Sequence, residues 1–306
     1  MSADAVGNES PAGPGNWGRW GSDDERGAVN LITAAQVLAA CRQPSQGRVY
    51  ELGIELRRGA PVGGERTAPM HFMVHDGGDF AALERHDWGT ADDYLTLYTQ
   101  GTTHIDGLAH MWSGGRLYNG FSYREVRSSG AAKLGVEKLG GIVTTAHVLD
   151  FSDRAGERDS DITVADIEAH FAKLAERSGE QGATVGLRPA PGDAVLFRTG
   201  WMDAALARET HAGRGFAVVA PETADWFADH DIAVVGADNI AVEATGRRGV
   251  LPPLHERLVC QLGVTLIEML DLRGPAADGI TSGMLVVAPL RISRGVGSPV
   301  NPLLIT

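Results

Sequence analysis

The chain has 306 residues, 43% of them apolar and 22% charged, and 39 Asp and Glu against 27 Lys and Arg leave a formal charge of −12. This length and balance suit a globule with a sizeable core and exclude a fibre, a disulfide miniprotein and a fully disordered chain. The acidic surplus, with no basic stripe, sets the chain against nucleic acid.

Residues 1–15 are small, polar and rich in Pro and Gly, and are expected to form a mobile tail. They lack a basic n-region and an apolar h-region, so they do not read as a signal peptide. No apolar run approaches the ~18–20 residues that span a bilayer, and a cytoplasmic protein without membrane contact is expected. Asn8-Glu9-Ser10 matches a glycosylation acceptor, which has no meaning in that compartment. From residue 16 to 306 the composition stays even, so one domain is expected there. Glycine, 40 of 306, is about twice its usual ~7% and points to many tight turns. Cys41 and Cys260, the two cysteines, make neither a disulfide framework nor a Cys-type zinc site.

In chain order, the predicted strands are 48–56, 93–100, 146–151, 193–201, 232–238, 264–270 and 283–292. Several are continuous apolar runs, the pattern of strands buried on both faces. Helices are predicted at 33–43, 163–178, 221–230 and 255–263. In the second, Val164, Ile167, Phe171 and Leu174 recur at helical steps. Thr163 and Asp166 make a capping start for it, and Gly179 a stop. Pro221 suits the first turn of the third. Strands mixed with helices along the whole length predict an α/β protein.

The chemistry concentrates in YTQGTTHIDGLAHMW, residues 98–112. A strand ends near Thr99, and Gly101 permits a sharp turn. His104 and Asp106 are two apart, so in an extended backbone they point the same way. His110 follows four residues later, one helical turn on. Imidazole nitrogen and carboxylate oxygen are normal ligands for zinc or manganese. By itself a His-x-Asp pair is more often a surface pair or a simple hydrogen bond than a metal site.

The segment resembles the HxGTHxDxPxH signature of the cyclase-like metal hydrolases, a family of bacterial kynurenine formamidases, isatin hydrolases and related amide- and lactone-opening enzymes. The likeness continues through NWGRWGSDDERGAVNLIT (16–33), GGRLYNG (114–120), PGDAVLFRTGW (191–201), VVGADNIAVE (234–243), LPPLHERLVCQLGVTLIEMLDL (251–272) and VVAPLRISRGVGSPVNPL (286–303). It implies a single α/β domain with a central mixed sheet, of the swivelling β/β/α type. It implies a divalent metal, Zn or Mn, held by His104, Asp106, His255 and Glu268, with His110 as general acid/base. Gln100 stands where the signature has its first His, and an amide oxygen is a weaker, neutral donor. One metal, or one tight and one weak site, is therefore implied. Leu108 replaces the signature's Pro.

The resemblance also implies a small-molecule substrate, a homodimer or homotetramer, and hydrolysis of an aryl formamide or an isatin-like cyclic amide. The alternatives are a lactone hydrolase on the same centre, such as a dienelactone hydrolase, or a member that binds metal or ligand without turnover. Trp112 and Met111 are candidates for a pocket wall. Trp17 and Trp20 are core anchors or, as in relatives, aromatics that approach substrate. Arg198 either steers a substrate carboxylate or forms a buried ion pair. His71 and His75 are four apart in a segment that does not favour a helix, so pocket lining or packing is expected there. VVGADN is not a dinucleotide fingerprint. Ser298 borders a Gly/Pro turn, but the chain has no nucleophile elbow.

Overall fold

The computed structural model describes residues 15–84, 87–155, 161–179, 188–207, 215–244 and 252–306. The tail expected over 1–15, apart from Gly15, and the Asn8 acceptor lie outside them.

The strands are β1 (Val49–Glu51), β2 (Met70–His75), β3 (Asp92–Thr96), β4 (His104–Asp106), β5 (Val126–Arg127), β6 (Gly130–Ala131), β7 (Ile142–Asp150), β8 (Asp161–Ile162), β9 (Ala194–Arg198), β10 (Val218–Val219), β11 (Val234–Ala237), β12 (Thr265–Glu268), β13 (Ser282–Val287), β14 (Gly297–Pro299) and β15 (Leu303–Ile305). The α-helices are α1 (Ala34–Ala40), α2 (Gly77–Ala82), α3 (Val164–Gly179), α4 (Trp201–Leu206), α5 (Thr223–Asp229), α6 (Pro253–His255) and α7 (Arg273–Ala277). A π-helix, Glu256–Leu262, continues α6.

Nine strands form one mixed sheet in the order β1-β15-β13-β7-β9-β11-β12-β4-β14. β7, β9, β11 and β12 run parallel. They are Val-, Leu- and Ile-rich and buried along almost their whole length, as their unbroken apolar runs predict. Antiparallel strands flank them on both sides. Seven strand spacings separate β15 from β14 in that order, about 34 Å if the sheet were flat. Yet only three residues, 300–302, join the two strands, and so short a link spans at most ~14 Å. The sheet must therefore curl until its two ends meet. Ile54 N–H, just past β1, donates to Thr103 Oγ1, just before β4 (2.9 Å), across that meeting.

α3 starts on the predicted capping box. Asp166 accepts from Thr163 N–H (2.8 Å), and Thr163 Oγ1 accepts from Asp166 N–H (3.3 Å). The strand predicted over 193–201 ends at Arg198, because Gly200 takes φ +82° and Trp201 begins α4. The helix predicted at 255–263 begins two residues earlier, with Pro253 in its first turn. No helix among the described residues is long and apolar enough to cross a membrane.

Candidate metal centre

β4 sits between β12 and β14, with His104 opposite Glu268 on one side and Asp106 opposite Gly297 on the other. The alternation of a strand puts His104 and Asp106 on the same face, and the antiparallel register brings Glu268 alongside. Two buried side chains lock this register. Thr265 Oγ1 donates to the Asp106 carbonyl (2.5 Å), and Thr103 Oγ1 donates to the Met269 carbonyl (2.6 Å).

Ligand atoms of His104, Asp106 and Glu268 all lie within 4.8 Å of one another. His104 Nε2 is 3.3 Å from Glu268 Oε2 and 3.8 Å from Asp106 Oδ1. His255, in the first turn of α6, places Nε2 3.1 Å from Glu268 Oε1. His110 Nε2 lies 3.8 Å from Asp106 Oδ1. The structure thus gathers His104, Asp106, His110, His255 and Glu268 from segments up to 164 residues apart in the sequence. His104 and Asp106 are 1% exposed, whereas a quarter of the His110 side chain meets solvent.

Sequence reasoning gave no role to Glu243, which lies inside the quoted VVGADNIAVE run. It is buried and accepts three hydrogen bonds: Leu254 N–H (2.9 Å), His255 N–H (2.7 Å) and His255 Nδ1–H (2.7 Å). One carboxylate therefore caps the start of α6 and fixes the ring that α6 carries. The Thr102 carbonyl does the same for His104 by accepting from Nδ1 at 2.6 Å. Each ring is left with Nε2 toward the carboxylates, the tautomer a metal ligand needs.

Burial works against the charge of His255, but Glu243 and then Glu268 outweigh it and raise the imidazole to about 10. Burial likewise opposes the charge of His104, and Glu268 and Asp106 raise it. Burial pushes the Glu268 carboxyl up, but His104 and His255 draw it down to about 2. Three buried carboxylates thus recruit protons onto two imidazoles. Compensation is still incomplete, because both Asp106 oxygens and His104 Nε2 are buried without a hydrogen-bond partner. An orphaned buried polar atom costs ~1–3 kcal/mol, and more when charged. A cation among these atoms relieves all three, so the donor set fits a divalent metal of the zinc or manganese type.

Gln100 is buried, its Oε1 accepting from Thr99 Oγ1 (2.6 Å) and its Nε2 without a partner. Its amide presses on Gly297, where an added Cβ would lie 2.3 Å from Nε2. The backbone beside the site carboxylates is unusual too. Val242 has φ +60° and Met269 φ +58°, immediately flanking Glu243 and Glu268.

The remaining candidates fall elsewhere. Trp112 is 45% exposed, two residues from His110, with its ring 6.0 Å from Tyr123. Trp17 is half-buried, and its indole N–H donates to the Cys260 carbonyl (2.7 Å). Arg198 binds Asp150 (2.9 Å), Asp203 (2.9 Å) and Ser152. It ends β9, three strand spacings or ~14 Å from β4, so of its two readings the geometry gives the ion pair. His71 and His75 lie on the exposed hairpin β2–β3, where His71 meets Asp93 (2.6 Å). Ser298 is buried in the middle of β14 and accepts from Leu290 N–H (2.8 Å).

The fold has counterparts among known proteins. The crystal structure of a novel cyclase is 32% identical, covers 96% of this chain and 100% of its own, and superposes with a TM-score of 0.84. Isatin hydrolase A from Labrenzia aggregata, bound to benzyl benzoate, is 20% identical over 91% of this chain and 99% of its own, with a TM-score of 0.62. A predicted metal-dependent hydrolase from Bacillus stearothermophilus is 22% identical over 85% and 98%, with a TM-score of 0.55. No curated protein matches the chain. The sequence model of the Cyclase family matches residues 50–244. Together with the 32% identity over nearly the whole length, this makes the chain a member of the cyclase family.

Proposed function

We propose that this chain is a metal-dependent hydrolase that opens an amide-type C–N bond of an aryl substrate, such as an aryl formamide or an isatin-like cyclic amide. The observation that carries the reading is the set of orphaned buried atoms, both oxygens of Asp106 and Nε2 of His104, directed together with Glu268 at a common point. His104, Asp106 and Glu268 would hold the metal, with His255 as a further ligand through Nε2. Gln100 is the weak fifth candidate, because only its neutral amide oxygen can ligate and that oxygen accepts from Thr99 Oγ1. Zinc or manganese suits these donors.

A divalent cation there supplies Lewis acidity, acidifying water and polarising a carbonyl oxygen. The rest falls to side chains of this chain. Imidazole is the group that both takes and returns a proton near neutral pH. His110 is poised for this, open to solvent on one side and 3.8 Å from Asp106 on the other. An amine is a poor leaving group, so proton delivery to the departing nitrogen is the step His110 is asked to assist. The exposed Trp112 ring, two residues beyond His110 in the chain, lies 6.0 Å from the exposed Tyr123 ring, and flat aromatic surfaces favour a flat aryl partner.

The assembly that goes with this reading is a homodimer or homotetramer. Supporting it is the hairpin β2–β3, which leaves Met70, Phe72, Met73, Val74, Tyr94 and Leu95 exposed. The register puts Phe72 and Tyr94 on one face, stacked at 5.0 Å, with Met70 on the same face, and exposed apolar patches mark interaction sites.

The test is metal content per chain together with hydrolysis of N-formylkynurenine, isatin and a dienelactone, for wild type and His104→Ala. Wild type is expected to carry metal, to lose activity to chelator and to regain it with zinc or manganese. Turnover of the dienelactone alone would replace the C–N reading with C–O hydrolysis. Metal binding without turnover would leave a binding protein. A His104→Ala chain that holds metal and hydrolyses like wild type would remove the centre altogether.

A further inference from the structure

The helix that carries His255 is held at both ends by residues remote in sequence. Glu243 takes the N–H groups at its start. At its finish, four successive carbonyls that a helix ordinarily leaves without intrahelical partners are all occupied. Trp17 Nε1 donates to Cys260 O (2.7 Å), Asn16 N–H to Gln261 O (3.0 Å), Asn16 Nδ2 to Leu262 O (2.9 Å) and Ala28 N–H to Gly263 O (2.8 Å). The fit is close, since a Cβ on Gly27 would lie 2.2 Å from the Gly263 carbonyl oxygen. The segment 16–28 is therefore a strap across the end of this helix.

The strapped stretch is π-helical, Glu256–Leu262. A π turn holds one residue more than an α turn. Relaxing it to α moves one side past the other by a residue, about 1.5 Å and 100°. With the end pinned, that rotation falls on His255, whose Nε2 must stay at Glu268. The same helix also grips the segment after His110. Ser113 Oγ donates to Glu256 Oε1 (2.5 Å), and Cys260 Sγ donates to the Met111 carbonyl (3.4 Å). Burial raises the Cys260 thiol to about 12, which keeps it a neutral donor rather than a reactive thiolate.

We propose that Asn16 and Trp17 are positioning residues of the metal centre, holding the π-helix in the one register that presents His255 to Glu268 and seats the His110 segment. This rests on the metal-centre reading above. Trp17 then acts on the site through the helix, not by touching substrate.

Cobalt(II) tests this through affinity and visible absorption, both read without substrate. Trp17→Phe removes the indole donor and keeps an aromatic ring. Asn16→Ala removes the donor to Leu262 and the Oδ1 that accepts from Arg19 (3.2 Å) on the exposed side, keeps the backbone N–H on Gln261, and is the mild variant, should Trp17→Phe fail to fold. Tyr50→Phe, which loses a hydrogen bond to Asp278 (2.7 Å) near β1, controls for destabilisation alone. The expected result is cobalt affinity lowered about tenfold, the scale at which outer-shell partners act. The absorption bands should also shift in both strap variants and not in Tyr50→Phe. Wild-type affinity and spectrum in Asn16→Ala and in a folded Trp17→Phe would overturn the proposal while leaving the centre standing. A wild-type chain that binds no cobalt would overturn both.

Discussion

Glu243→Gln is nearly isosteric, yet it should damage the metal centre. The carboxylate accepts from Leu254 N–H on Oε2 and from His255 N–H and Nδ1–H on Oε1. An amide has one acceptor and one donor end. With its oxygen toward His255, its NH2 faces Leu254 N–H, donor against donor. Turned the other way, its NH2 opposes both His255 donors. At least one buried donor is left unsatisfied in either pose, at ~1–3 kcal/mol each. His255 also loses the charge-assisted bond that fixes its ring, and such bonds are roughly twice as strong as neutral ones. The first pose is the less costly, and it predicts metal affinity weaker by about ten- to a hundredfold. Competition titration with a chromophoric chelator measures this directly. Far-ultraviolet circular dichroism of the metal-free variant confirms that the fold persists. Wild-type affinity in a folded Glu243→Gln chain would refute the argument that Glu243 orients His255.

His110→Ala should lower kcat by about 10²–10⁴ while leaving the metal count unchanged; parallel loss of metal would make it a ligand instead. Asp166 is held below the usual carboxylate range by the Arg154 guanidinium, against a burial effect, with help from Thr163. A depressed carboxyl stabilises the fold above its unfolded value and loses that contribution as pH falls. Asp166→Asn should therefore cost about 1 kcal/mol at neutral pH, and urea midpoints should show the gap closing as pH drops from about 5 to about 2; a gap independent of pH would sink this. Phe72→Lys with Tyr94→Lys, placing charge on the exposed hairpin, should halve the mass seen by sedimentation. A wild-type chain already monomeric at micromolar concentration would refute that assembly.

The parallel core was legible because continuous apolar runs have one stable home, a strand covered on both faces. Strand alternation made the common direction of His104 and Asp106 legible, but their role as ligands rested on the resemblance. Glu268 and His255 rested on it too, because the β12–β4 register brings Glu268 to β4 and α6 carries His255 to Glu268. Glu243 was missed for a physical reason: its partner ring arrives on a helix twelve residues later, and nothing local distinguishes it from a surface carboxylate. The π-register of 256–262 was equally hidden, since it depends on Asn16 and Trp17 more than 240 residues upstream. The curl of the sheet depended on the 300–302 link, which composition does not reveal. Arg198, for which the sequence left two readings open, pairs with Asp150 and Asp203, contacts that nothing local in FRTGW announces.

The positive φ at Met269 shows why the site survives its own strain. Glu268 must face the imidazoles while the next residue returns to the core, and Met269 is fully buried. Met269 does this just past the end of β12 in the left-handed conformation, φ +58°. That conformation costs ~1–2 kcal/mol for a residue with a Cβ, so Met269→Gly should relieve it. The same change removes a buried side chain, worth ~2–5 kcal/mol, and adds ~0.5–1 kcal/mol of backbone entropy to be lost on folding. The balance predicts a net loss of about 2–4 kcal/mol in urea unfolding of the metal-free chain, despite the easier backbone. A Met269→Gly chain as stable as wild type would mean that the strain exceeds the packing that holds it. The placement of Glu268 would then need another source of rigidity, and the Thr103 hydroxyl on the Met269 carbonyl (2.6 Å) is the contact to break next.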